Sequence, residues 1–200
     1  MRTDFYTAIE KRRSYYALGK EAVTSDTRIQ EVVEHAVKHV PSAFNSQSTR
    51  VCILLGSQHD TLWDMTTNIL KETVGPDADF TATQQRMDGF KGAYGTILFF
   101  EDEEVVKQLQ ERFPLYADNF PLWSEQTSGM HQFAIWTGLE AEGYGASLQH
   151  YNPLIDVAVA QKWAIPNTWK LRAQMPFGNP LAEPNEKTFQ PLDTRVKIYK

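Results

Sequence analysis

LWSEQTSGMHQFAIWTGLEAEGYGASLQHYN, residues 122–152, joins an apolar helix to a small-residue strand, and the rest of the chain reads as what packs around it. Met130, Phe133, Ala134, Ile135, Trp136 and Leu139 place apolar side chains on most of a helical circumference, which predicts a central, nearly encircled helix. Glu140 and Glu142 are expected where it meets solvent, and Gly143 as its stop, since glycine takes a left-handed backbone. GYGASLQHY then reads as a short strand, small at one end and polar at the other. Two readings stay open: a core helix running into a core strand, or a backbone lying close to a flat ligand.

Outward from that stretch, composition narrows the class. Two hundred residues with 42% hydrophobic content suffice for one compact domain over 1–200. A net charge of −5 with scattered basic residues offers no field for nucleic acid or an anionic membrane. MRTDFYTAIEKRR carries charges where a signal peptide needs an apolar block, and the purest apolar runs, such as VCILL, are short. A cytoplasmic setting is expected. Cys52 lies inside that apolar run, reading as a buried inert thiol rather than a nucleophile.

Residues 3–13 read as an opening helix with Phe5 and Ile9 at helical spacing, running out at Arg12-Arg13-Ser14. That tripeptide is either a solvated helix end or a phosphate clamp, since guanidinium forks and a hydroxyl match phosphate oxygens. Ser25 caps a second helix with an apolar stripe from Ile29 to Val40. His35 and His39 share a face of it but lack further ligands nearby. Pro41 ends that helix, and PSAFNSQ forms a polar loop before the strand RVCILLG. Beyond it the chain reads as helices over 58–73 and 81–91, the buried strand GTILFFE and a surface helix over EDEEVVKQLQERF. A loop bracketed by Pro114 and Pro121 precedes the central helix, and a helix restarting at Pro153 precedes the strand TWKLRAQMPFGNP. The polar C-terminal stretch ends in an alternating RVKIYK that needs a sheet edge. Interspersed helices and strands predict an α+β or α/β fold.

No GxxxxGK[ST] loop, GxGxxG turn, GxSxG elbow, HExxH pair or cysteine cluster occurs in the sequence. Hydrolytic, metal-dependent and ATP-driven chemistry are poorly supported, so any catalysis is expected to belong to a bound organic cofactor.

Four stretches, KRRSYYAL, PSAFNSQ, EGYGASLQHYNP and RVKIYK, together resemble the flavin-dependent nitroreductase family, most closely its compact subgroup of fatty-acid-repression-mutant-like proteins. The resemblance implies an α+β fold: a three-layer α/β/α sandwich around a central mixed sheet, in an intertwined homodimer with flavin mononucleotide (FMN) at the interface. It implies that Arg12, Arg13 and Ser14 hold the flavin phosphate and ribityl end, joined by Arg195 and Lys197. Pro41, Ser42, Asn45 and Gln47 would reach the isoalloxazine and ribityl from the partner subunit. The backbone of Leu148, Gln149 and His150 would lie along the ring near N5 and O4. The C-terminal tail would wrap the partner. This chain departs from many relatives in having Tyr16 where they carry lysine, Ser48-Thr49 after the NSQ tripeptide, and His150 at a position often acidic.

The implied activity is ping-pong reduction of nitroaromatics or quinones, with NAD(P)H as co-substrate. His150 is the one side chain expected to donate a proton or polarise near N5; alternatively only its backbone matters. Phe113, Tyr116, Phe120 and Trp123 could line a substrate channel or belong to core or interface. A flavin-binding sensor or storage protein with little turnover is the rival from another class. A link to lipid or oxidative-stress responses comes only from the subgroup resemblance.

Overall fold

A computed structural model describes residues 4–200. The helices are α1 (Phe5–Lys11), α2 (Asp26–His39), α3 (Ser57–Val74), α4 (Thr81–Lys91), α5 (Glu103–Arg112), α6 (Phe120–Ala141) and α7 (Asp156–Trp163). The strands are β1 (Leu18–Gly19), β2 (Thr49–Leu55), β3 (Gly95–Asp102), β4 (Gly145–Ala146) and β5 (Trp169–Pro180). Strand order is β1-β5-β3-β2, with β4 also paired to β5.

The sheet forms because β3 is apolar on both sides and buried along its whole length. Its residues alternate between two cores, as the period-2 geometry of a strand demands. Ile97 and Phe99 pack with Ile29 and Val33 of α2, Ile135 and Leu139 of α6, and Met175 and Phe177 of β5. Leu98 and Phe100 pack on the other face with Leu62 and Trp63 of α3, Met87 and Phe90 of α4, and Val159 of α7. Helices therefore cover both faces, giving three layers in an α+β fold. Every ladder is antiparallel. The parallel component of the expected mixed sheet amounts to one isolated bridge, Ser14 to Ala146.

Several expectations shift by local physics. The opening helix is shorter than 3–13: Asp4 caps it through the Tyr6 and Thr7 N–H groups, Ala8 is its buried residue, and Phe5 is exposed. The expected Thr3 start lies outside the described residues. Pro121 is not a loop boundary but sits in the first turn of α6, where a missing N–H costs nothing. Between the two prolines, Pro114–Asn119 winds as a 3-10 helix. Of GYGASLQHY only Gly145–Ala146 joins a ladder. The Gln174 side chain engages Tyr151 and Asn152 in place of a partner strand, and Pro153 has no N–H to donate to one.

Two corrections concern exposure. Helix α6 is not encircled: Met130 and Phe133 are 42% and 40% exposed while Ser124, Thr127, Ser128 and His131 are buried. Glu140 does not mark the solvent boundary; it is half-buried, and burial pushes its carboxyl up to about 7 against the pull of Lys11 and Arg12. The tail RVKIYK pairs with no strand among the described residues, and Val196, Ile198 and Tyr199 are exposed.

Candidate functional site

The end of α1 places the first group. The helix stops at Arg12, whose N–H still bonds the Ala8 carbonyl at 3.0 Å. Its guanidinium lies 4.5 Å over the Trp136 ring of α6, a cation–π contact. Its Nε is buried with no hydrogen-bond partner among the described residues. Burial, and then the neighbouring charge of Arg13, lower the Arg12 pKa, with Glu140 opposing. Arg13 donates to the Asn185 carbonyl. Ser14 bridges Ala146, and the Tyr15 N–H donates to the Ala146 carbonyl at 2.9 Å, which stitches this turn onto β4.

Around these residues opens a cleft of about 350 Å³ lined by Arg12, Arg13, Ser14, Tyr16 and the segment 185–188. Arg12, Arg13 and Lys187 outnumber the one carboxylate, Glu186, so the cleft is net positive. A half-buried guanidinium, a second guanidinium, an ammonium and a hydroxyl form a donor set that fits a phosphate dianion. Lys187 lines this cleft, whereas Arg195 and Lys197 are exposed on the tail and do not line it within one chain. Nothing local in the sequence marks Lys187 as a lining residue, since it is a lone lysine in a polar tail.

The strand after α6 supplies the second group. Gln149 pairs in both directions with Gln174, its N–H reaching the Gln174 carbonyl at 2.7 Å and its carbonyl receiving the Gln174 N–H at 2.9 Å. The main-chain donor of Gln149 is therefore committed. Leu148 and His150, which flank it, keep N–H groups outside any backbone pairing among the described residues. Gln174 is fully buried on β5, and its side chain accepts the Tyr151 N–H at 2.7 Å and donates to Asn152 at 3.2 Å. It fastens 149–152 from beneath, and a buried glutamine inside the apolar run LRAQMPF was the available signal. The His150 side chain is exposed.

The third group, Pro41, Ser42, Asn45 and Gln47, lies elsewhere. Ser42 Oγ accepts the Gln47 N–H at 3.0 Å. Below the loop, Ser48 and Ser124 each donate to the fully buried Glu101 at 2.6 Å, and Thr49 donates to it as well. His131 Nδ1 stands 2.9 Å from the Thr127 carbonyl, which requires the proton on that nitrogen. Ser42 and Gln47 open onto a groove of about 650 Å³ along α2 and the free edge of β2. The loop packs at Trp123 near the start of α6, whereas Arg12 packs at Trp136. Thirteen residues of helix separate those anchors, about 20 Å at the α-helical rise. One chain does not bring the two groups together.

Other candidates are quiet. The thiol of half-buried Cys52 is pushed up by burial, away from thiolate chemistry. The His35 and His39 rings lie 4.5 Å apart, and no group of three metal-ligating side chains forms among the described residues. No helix there is long and apolar enough to cross a membrane.

Comparison with known proteins gives concordant results. The family model described as "Nitroreductase family" matches residues 9–179. HBN1 of Saccharomyces cerevisiae is 38% identical over 194 residues, covering 96% of each chain. Nitroreductase CinD from Lactococcus lactis, solved in complex with nicotinic acid, is 48% identical with a TM-score of 0.93, covering 98% of this chain and 100% of CinD. CinD has also been solved with 4-nitrophenol. A protein of Desulfovibrio desulfuricans solved with FMN shares the fold at 20% identity and a TM-score of 0.70, covering 100% of this chain and 99% of its own.

Proposed function

This chain belongs to the nitroreductase family, and from that premise we propose that it is an FMN-dependent NAD(P)H oxidoreductase reducing nitroaromatics or quinones by a ping-pong route, as a cytoplasmic homodimer of one domain spanning 1–200. The observation that carries the reading is a net-positive cleft lined by Arg12, whose Nε is buried and unpartnered among the described residues, and by Ser14, which is bridged to the strand leading to residues 148–150. FMN, when bound, supplies two-electron transfer between the nicotinamide and the acceptor.

The chain's own residues do the rest. Arg12, Arg13, Ser14 and Lys187 would neutralise and hold the phosphate. The N–H groups of Leu148 and His150 would face the ring edge near N5 and O4, where fixed donors stabilise negative charge on the reduced ring. His150, exposed on that segment, would be placed to hold or pass a proton there. Ser42, Asn45 and Gln47 would arrive from the second copy and exclude water. Three features favour that copy: the two contact groups stand far apart in one chain, Met130 and Phe133 leave α6 apolar and open, and RVKIYK lacks a sheet edge while β2 offers one. The two CinD complexes, with nicotinic acid and with 4-nitrophenol, fit a nicotinamide donor and a nitroaromatic acceptor for the same fold.

The test is the visible spectrum of the purified protein under anaerobic NADH and then NADPH. A yellow protein that bleaches on mixing and recovers with a nitroarene or quinone supports the reading and reports the donor preference. A protein that stays colourless after incubation with FMN sinks it. Slow bleaching without acceptor turnover would instead favour a flavin-binding sensor.

A further inference from the structure

The loop carrying Ser42, Asn45 and Gln47 holds an uncommon backbone. Phe44, Asn45 and Gln47 all take positive φ, at 55°, 52° and 49°. Asparagine adopts this region readily because its short side chain bonds the local backbone, but a phenylalanine Cβ crowds its own carbonyl there. Such a conformation persists only where surroundings over-determine it.

A nest of rings surrounds Phe44. Its centroid lies 4.8 Å from Phe113, 5.2 Å from Phe120, 5.7 Å from Tyr116 and 6.0 Å from Trp123, the last at an interplanar angle of 19°. Phe120 is buried and anchors the nest at the start of α6, yet Phe44 itself is 48% exposed. A half-exposed ring is poorly placed as core filler. The far end of the loop is fixed independently, by Ser48 and Thr49 on Glu101. Between those anchors the Ser42 Oγ to Gln47 N–H bond closes the turn.

We propose that Phe44 is a positioning residue: its ring, held against Phe113, Phe120 and Trp123, keeps loop 42–47 in the left-handed conformation that presents Ser42, Asn45 and Gln47 to flavin bound mainly by the partner subunit. The role rests on the flavin reading of the site. It assigns the aromatic segment 113–123 a second task, bracing the cofactor loop.

The test measures the FMN dissociation constant of the homodimer for Phe44→Tyr, Phe44→Ala and Phe44→Gly, with thermal melts alongside. Phe44→Tyr keeps the ring and binds FMN as the parent does. Phe44→Ala loses the ring but retains the crowded Cβ, and weakens FMN by about tenfold, the factor to which a left-handed penalty converts. Phe44→Gly weakens it less than Phe44→Ala, because glycine takes this φ freely. That order is the signature: simple loss of packing would leave glycine the weaker binder, and this result overturns the inference, as does parent-like affinity in both variants. If Phe44→Ala fails to fold, Phe44→Leu and Phe113→Leu thin the nest instead, and parent-like FMN affinity in both overturns it. Asn45→Ala and Arg12→Ala separate the two levels. Loss of FMN there with intact binding in the Phe44 variants rejects Phe44 alone, whereas intact binding in all of them rejects the flavin reading.

Discussion

Arg12 shows how one residue changes meaning with its surroundings. In sequence it is a basic residue at a helix end; in the fold it is stacked on Trp136, partly desolvated, and left with a buried N–H to satisfy. On the flavin reading proposed above, the phosphate would lie against this arginine. Arg12→Ala and Lys187→Ala are each expected to weaken FMN by about tenfold, on the scale of a charge-assisted hydrogen bond, while leaving riboflavin binding within about twofold. Titrating both flavins checks this, and equal losses for both would refute a phosphate contact. Glu140, near the same cations, gives a pH signature. Its folded carboxyl titrates at about 7 against an ordinary 4.5, so the folded state holds the proton more tightly. The contribution of Glu140 to stability is fullest below about 4.5 and is lost as pH rises through about 7. Glu140→Gln should flatten that part of the curve and raise the melting temperature at neutral pH; an unchanged pH profile would show the carboxyl to be solvated. Arg12, Arg13 and Ser14 were legible because they adjoin in the chain. Lys187 was not, because its relation to them exists only through the fold.

At the scale of elements, α6 and β3 carry opposite lessons. β3 reads correctly from sequence, since GTILFFE is apolar on both faces and a strand so composed must be covered twice. In α6 the C-terminal half buries Ile135 and Leu139, whereas the N-terminal half buries hydroxyls, one of which, Ser124, donates to Glu101 at the end of β3 beside Ser48 and Thr49. That network joins β2, β3 and α6 beneath the 42–47 loop. Ser124→Ala removes one donor to a buried carboxyl and should cost about 1.5–3 kcal/mol in urea unfolding, whereas a loss under about 0.5 kcal/mol would mean that water replaces the hydroxyl. Gln174 does the comparable work for residues 149–152. Periodicity cannot announce either residue, since a buried polar side chain is stabilised by partners distant in sequence.

For the whole molecule, the single chain leaves its surface incomplete. Apolar residues of α6, the free edge of β2 and an alternating tail all stand open. An apolar area of this kind, with an unpaired strand beside it, is what a second copy would cover. Deleting residues 195–200 should shift the protein from dimer towards monomer in sedimentation and reduce FMN retention with it. A dimer that survives the deletion with full flavin content would place the interface on α6 alone.

The family, the buried central strand, most helix boundaries and the basic tripeptide are legible before folding, because each is written in contiguous residues whose spacing or identity suffices. Which cations line the cleft, that the Gln149 main-chain donor is spent while its neighbours' are not, and that loop 42–47 packs into a nest of rings emerge only once the chain is folded. Those depend on contacts between distant segments, where burial sets the cost of every unpaired group and no local pattern records it.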